Sequence, residues 1–350
     1  MAAITAKPLF QKPEGTATLY TLQNTNGIRV SITNYGATIL SIWVPDRNGK
    51  LADVVLGHGS TEMLCQQCYY LGATVGRCCN RISKGQFTLN GRDYQLACND
   101  HGKNHLHGGI GGFARRFWQA QTLENGSLRM SLHSPDGEDG YPGNLEVSVV
   151  FTLTENDQLQ LHYQAQGDAD TLCSLTNHTY FNLAGHDAGD ILKHKLKLYA
   201  DRFTETNAES IPTGRELPVA GTSMDFTDFH AIGERIHAAD QPLKFGNGYD
   251  HNWVLRDGDG QLALCAELYE PESGRLLQVS TDLPGIQFYS GNFIDGSACG
   301  KGGVYYQPRS GLALETQYAP DAVNHPQWPS PILRAGEQFD KTTIFAFSVR

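Results

Sequence analysis

The 350-residue sequence predicts an all-β fold: one large, mostly antiparallel β-sandwich-like domain. Two observations carry this prediction. Short apolar and polar runs alternate with period two and end in turn-forming residues, and helical periodicity is scarce. Leu128, Met130 and Leu132 alternate with Arg129, Ser131 and His133; Leu159 and Leu161 alternate with Gln158, Gln160 and His162; Leu196 and Leu198 alternate with Lys195 and Lys197. Each run gives a strand one apolar face. Residues 87–89 and 92–96 flank Asn90-Gly91, a hairpin signal because both turn residues tolerate the positive φ of a type I′ turn. Similar turn punctuation follows at Asn26-Gly27, PDRNG (45–49), ENGS (124–127), TEND (154–157), DGDG (257–260) and PESG (271–274). Helical spacing is confined to residues 61–70 and 227–233, and strands do not alternate with long helices, which argues against a doubly wound parallel sheet. Residues 185–190 and 214–228 read as long loops. No repeat, low-complexity tract or polar linker divides the chain, so residues 1–350 are expected to form a single domain.

Composition narrows the function classes. Hydrophobic residues make up 40% and charged residues 18%, far from the signature of disorder. With 27 Lys and Arg against 37 Asp and Glu, the net charge of −10 gives no electrostatic reason to bind nucleic acid or an anionic membrane. The opening MAAITAKPLF lacks a signal-peptide core and no apolar run reaches membrane-spanning length, so a cytoplasmic protein is expected. Eight cysteines are too dilute for a disulfide scaffold. Cys65 and Cys68 form a CxxC and Cys78 and Cys79 are adjacent, but no second CxxC follows; these read as buried or idle thiols, not a zinc site.

Other motifs were weighed for chemistry. GGIGGFA (108–114) contains a GxGxxA, but no amphipathic helix follows, and it reads as a tightly turning loop. Neither GxxxxGK[ST] nor GxSxG occurs, leaving P-loop chemistry and an α/β-hydrolase elbow without their signals. His101, His105 and His107 cluster, and an H-x-H pair on a strand can seed a metal site. Residues 108–113 supply no carboxylate to complete it, so no metal is expected, with loop histidines or a hydrogen-bonding His107 instead.

Six polar islands lie beside apolar, strand-like residues, where buried ionisable groups need a reason. They are GRCCNRI (76–82), NHLHGG (104–109), TNHTYFNL (176–183), GYDHNW (248–253), PGIQFYSGNF (284–293) and LALETQYAPDAVNHP (312–326). In this order and at these separations they resemble the aldose 1-epimerase (galactose mutarotase) family. The resemblance extends through NYGATILSIWVPDRNG (34–49), DGEDGYPGNLEVSV (136–149), GTSMDF (221–226) and LRAGE (333–337), covering nearly the whole chain. It implies the family's β-supersandwich with an open sugar cleft, and interconversion of the α and β anomers of free hexoses such as galactose and glucose, without cofactor or metal. By motif match it implies His178 as acid and Glu315 as base, with Asn80, Arg81, His107, Asp250 and Gln287 contacting the sugar. Cys78-Cys79 is the local departure from the pattern.

The residue types suit that chemistry. Opening a pyranose at C1 removes the anomeric hydroxyl proton and delivers one to the ring oxygen, a pairing of carboxylate and imidazolium. Three rivals share the residues: a glycoside hydrolase using Asp250 and Glu315, a non-catalytic carbohydrate-binding protein stacking sugars on Trp118, Trp253 and Trp328, and a phosphosugar mutarotase, which needs an added cationic patch. Preferred sugar and oligomeric state are not encoded legibly.

Overall fold

Alternation in the sequence becomes alternation in burial. Leu128–Ser134 buries every second residue, as does Gln158–Gly167, whose Leu159, Leu161, Tyr163 and Ala165 point inward. The structure, a computed structural model, describes residues 2–297 and 299–350. Among the described residues the strands form three large sheets and several two-stranded ribbons. The first sheet has five strands in sequence order, from Ala3–Lys12 to Leu51–Asp53. The second has nine, running from Gln119–Thr122 at one edge through Gln338–Val349 to His230–Ala231 at the other. The third has six, in the order Tyr180–Phe181, Leu312–Gln317, Gly285–Tyr289, Asp250–Leu255, Ala200–Thr206 and Pro212–Pro218. Pairing is antiparallel in each, so the expected class is borne out.

One apolar core draws Val30 and Ile32 from the first sheet, Val149 and Leu161 from the second, and Trp253, Phe288 and Leu314 from the third. Phe181 meets Phe345 edge to face at 5.1 Å, joining the third sheet to the second. The central strands of the third sheet are buried on both faces: Gly285–Tyr289 and Leu312–Gln317 are buried throughout. Their apolar residues enter the core, and the alternate, polar residues lie on the opposite face beneath a cover of loops.

The Asn90-Gly91 hairpin forms between Gln86–Leu89 and Arg92–Gln95, with φ of 53° and 74° at the turn. Residues 61–70 are helical only in part: an α-helix spans Thr61–Gln66, Gln67 turns left-handed, and Cys68–Tyr70 is a 3₁₀ turn. Residues 227–233 are not an α-helix. His230–Ala231 pairs with Lys195–Leu198 and Ile232–Glu234 is a single 3₁₀ turn, because a run this short buries its apolar residues on the sheet more readily than it nucleates a helix. The expected loop 214–228 begins inside a strand, Pro212–Pro218, and a short helix at Gln241–Gly246, entered through Pro242, carries too few apolar residues to show periodicity. Among the described residues no helix is long and apolar enough to cross a membrane. The eight cysteines are free thiols.

Candidate active site

Strand register assembles the polar face. Asn252 pairs with Gln287 and Gln287 with Glu315, a row across three strands; Asp250 pairs with Tyr289, Tyr289 with Ala313 and Ala313 with Tyr180, the next row. Residues two apart on a strand share a face, so Asp250, Gln287 and Glu315 lie together while Trp253, Phe288 and Leu314 fill the core. From the opposite side, Arg81–Ile82 pairs with His105–Leu106, bringing Arg81 beside the histidine segment. His107 N–H donates to Asn80 O at 3.1 Å, and both residues take positive φ, 52° and 61°. Gly108 follows at φ +83°, and a Cβ there would stand 1.7 Å from Gly76 O, so the tight turn expected of this segment requires glycine.

These segments enclose a cavity of about 230 Å³ lined by Asn80, Arg81, His107, His178, Asp250 and Glu315, with Tyr69, Tyr70, Tyr180, Tyr289, Leu106 and the half-exposed Phe293 completing the wall. That is below the ~300–1,000 Å³ usual for drug-sized ligands, which fits a small, polar molecule. Six of the seven residues named from sequence therefore meet in one place. Gln287 does not reach the wall. It lies beneath Asp250, its Nε2 donating to Asp250 Oδ1 at 2.7 Å, and its Oε1 accepts from Gln317 Nε2 at 3.2 Å. Gln317 also donates to Asn252 Oδ1 at 3.2 Å and accepts from Asn80 Nδ2 at 3.4 Å. Asn252 and Gln317 were missed in the sequence; GYDHNW and LALETQ hold them as alternate polar positions, the one signal that marks them.

His178 Nε2 stands 3.5 Å from Glu315 Oε1, and the side chains are 6% and 2% exposed. Burial lowers the His178 imidazole to about 4. Burial, then the nearby Asp250 charge, raises the Glu315 carboxyl well above its ordinary value, with Arg81 opposing. Each group alone is pushed toward its neutral form. Charged together, at this separation they attract by about 5 kcal/mol at an effective dielectric of 20. The two groups therefore titrate as a coupled pair, and a proton can pass between the carboxyl and the imidazole. Glu315 Oε2 is buried with no hydrogen-bond partner among the described residues, which leaves an acceptor for a ligand in the cavity.

His107 is fixed differently. The backbone N–H of Asn80 donates to His107 Nδ1 at 3.2 Å, so Nδ1 must accept and the ring proton sits on Nε2. Burial, then the His178 and Arg81 charges, depresses the His107 imidazole well below its ordinary value, and protonation would set Nδ1–H against the backbone N–H. His107 is a standing neutral donor. His107, His178 and Glu315 offer three ligand atoms within 4.8 Å of one another, the spacing of a metal triad. The tautomer removes the lone pair that His107 would need to complete it. The other two histidines of the cluster go elsewhere: His105 bonds Ala97 O at 2.8 Å and Tyr141 Oη at 2.6 Å, and His101 is exposed beside Asp100. The positive φ at His107 breaks the strand alternation that would have put the pair on one face.

Arg81 Nε donates to Asp100 Oδ2 at 2.9 Å, and Nη1 lies 3.8 Å from Asp250 Oδ2. Burial works against its charge, but Asp250 and Asp100 hold the guanidinium above its ordinary value.

Comparisons with known proteins give the family of the chain. Residues 18–346 match the family described as aldose 1-epimerase. The chain belongs to the aldose 1-epimerase family. It is 43% identical to the galactose mutarotase of Homo sapiens over 350 residues, all of both chains, and 37% identical to the aldose 1-epimerase of Escherichia coli (strain K12) over 332 residues, 94% of each. Among solved structures, a GalM/aldose epimerase homologue from C. elegans superposes with a TM-score of 0.88 at 28% identity, covering 95% of this chain and 99% of that one. A galactose 1-epimerase from Lactobacillus acidophilus NCFM gives 0.86 at 27% identity, covering 100% and 99%. Of the family's motifs, GRCCNRI also contributes a residue not singled out in the sequence: Arg77 is buried and makes six hydrogen bonds, to Ser134 Oγ, Thr171 Oγ1 and the carbonyls of Ser134, Pro135, Pro142 and Gly143. It fastens the segment that carries Asn80 and Arg81.

Proposed function

We propose that this isomerase interconverts the α and β anomers of free hexoses, galactose and glucose among them, by acid/base catalysis at His178 and Glu315, without metal or cofactor. The observation that carries the mechanism is a carboxyl and an imidazole 3.5 Å apart on the wall of a sugar-sized cavity. With that proton on His178, Glu315 takes the proton of the anomeric hydroxyl as His178 gives one to the ring oxygen. The C1–O bond to the ring oxygen breaks and the carbonyl forms. The pair has lost one proton and gained one. Rotation about C1–C2 presents the other carbonyl face, and the reverse transfers close the ring to the opposite anomer, so the two directions need the same machinery. His107 donates its fixed Nε2–H to a sugar oxygen, and Arg81 stabilises negative charge building on oxygen. Asp250 accepts from hydroxyls, oriented from beneath by Gln287. The whole chain is read as one catalytic domain, working in the cytosol, where its thiols stay reduced.

The rivals fare worse on specific observations. Trp118, Trp253 and Trp328 are 2%, 0% and 7% exposed, so none offers a stacking platform. Arg81 is the only Lys or Arg among the described residues lining the cavity, and Asp100 and Asp250 already engage it, which leaves no free cation for a phosphate. Asp250 is tied to Gln287 and Arg81 and so sits as a binding group, not as a free second carboxylate for glycoside hydrolysis.

Polarimetry on freshly dissolved α-D-galactose in excess chelator tests the reading. Rotation should relax faster with protein than without, and galactose 6-phosphate should compete poorly. Acceleration that disappears on chelation and returns with a divalent ion would overturn it.

A further inference from the structure

The proposed mechanism asks a fully buried imidazole to carry a positive charge, and Glu315 faces it from only one side. Two tyrosine rings lie nearly parallel to the His178 ring. Tyr180 has its centroid 4.9 Å away at an interplanar angle of 29°, and Tyr70 stands at 6.1 Å and 27°. The two tyrosines are not equivalent. The Arg115 guanidinium already lies over the Tyr70 ring, 5.2 Å from its centroid, while no Lys or Arg among the described residues stands over Tyr180. The π face of Tyr180 is therefore uncommitted. His107 meets His178 edge-on at 5.1 Å and is neutral, so it adds no repulsion; Asp250 and Arg81 act on the Glu315 carboxyl in opposite directions.

Tyr180 is also held firmly. It pairs with Ala313 in the third sheet, its carbonyl accepts from Leu56 N–H at 2.9 Å, and its ring meets Tyr289 edge to face at 5.8 Å. It follows His178 by two residues, so in extended chain the two side chains share a face.

We infer that Tyr180 is a positioning residue that stabilises the protonated form of His178 through its π face. The inference rests on reading His178 as the acid of the proposed mutarotation. A desolvated cation over an aromatic ring within about 6 Å is favoured enough to change a rate roughly tenfold if the charge is needed in the reacting state. The Tyr180 hydroxyl is not part of this interaction, so Tyr180→Phe is the reference against which the series is read.

The test keeps the shape of the ring nearly constant while fluorine withdraws electron density from its π face. Phenylalanine and its mono-, di- and trifluorinated forms are placed at position 180, and anomer exchange is measured with galactose. The expected result is a stepwise fall in kcat totalling about tenfold, with KM changed by less than about twofold. The ¹⁵N shifts of His178 should move along the same series toward the neutral ring. Equal kcat across the series, or a loss shared equally by all members, would show that the ring only fills space and would overturn the inference. Failure of the mutarotase reading looks different: the unsubstituted protein would not exchange anomers, or would keep exchanging them in His178→Asn.

Discussion

Glu315→Gln should make the protein slower and more stable at once, with a pH signature set by the coupled pair. The carboxyl is raised by burial above its ordinary 4.5 and the imidazole is lowered to about 4. Between about pH 4 and 4.5 the unfolded chain holds two protons on these residues and the folded pair one, so stability rises with pH. Between 4.5 and 6.5 each state holds one proton and the pair contributes no slope. Above 6.5 the unfolded chain holds none, so for as long as burial keeps the folded pair protonated stability falls by about 1.4 kcal/mol per pH unit. Gln removes the carboxyl and leaves His178, whose depressed value makes the variant gain stability from pH 4 to 6.5 and then level off. The difference between variant and parent therefore widens by about 1.4 kcal/mol for each pH unit above 4.5, up to the ionisation of Glu315. All other titrations cancel in that difference. Urea titrations of both proteins at pH 5, 6 and 7 measure it, and polarimetry on the same samples should show turnover lowered by about 10² to 10⁴. Parallel stability profiles would mean that Glu315 is already ionised in the folded protein. Retained turnover would move the base to another carboxylate.

The remaining expectations are shorter. His178→Asn keeps a hydrogen-bond donor but transfers no proton, so turnover should fall by about 10² to 10⁴ with the fold intact by circular dichroism; parental activity would transfer the acid role to another group. ¹⁵N NMR of His107 should report the Nε2–H tautomer unchanged from pH 7 to 5, because Asn80 N–H occupies Nδ1; a titration near 6.5 would contradict the fixed-donor assignment. Arg77→Met strips hydrogen bonds from four carbonyls and two hydroxyls at once and should cost about 3–5 kcal/mol in urea unfolding. A loss below about 1 kcal/mol would mean that water replaces the guanidinium there.

Much of this site was legible before the fold was. The apolar neighbours of His178 and Glu315 are a weak signal alone; the motifs TNHTYFNL and LALET, through their resemblance to the aldose 1-epimerase family, are what single these two residues out. Period-two patterning likewise placed Leu128–Ser134 and Gln158–Gly167 as strands. The rest was hidden for particular reasons. Leu312–Gln317 alternates as a half-exposed strand does, yet both faces are buried, and the polar face of Glu315 and Gln317 reads as a solvent face when the loops that cover it are distant in sequence. Gln287 carries a polar side chain at a site strand, but only the register with Asp250 reveals that it points at a carboxylate and not at the cavity. Arg77 and Arg81 are four residues apart in one motif, and nothing local distinguishes the one that grips carbonyls from the one that faces the ligand. Residues 227–233 have the apolar spacing of a helix, but only Ile232 among them is buried, in a segment that pairs with a sheet edge and then makes one 3₁₀ turn.

The central claim is that His178 and Glu315 act as one proton-exchanging unit on a free sugar. Exchange spectroscopy between the α and β anomeric protons of galactose at equilibrium measures that step without net reaction. The parent protein should exchange the anomers rapidly, each of His178→Asn and Glu315→Gln should lose about 10² to 10⁴, and the double variant should be no slower than the slower single by more than a few-fold. Losses that multiply in the double variant, with each single still catalysing on its own, would show two independent groups and contradict the account.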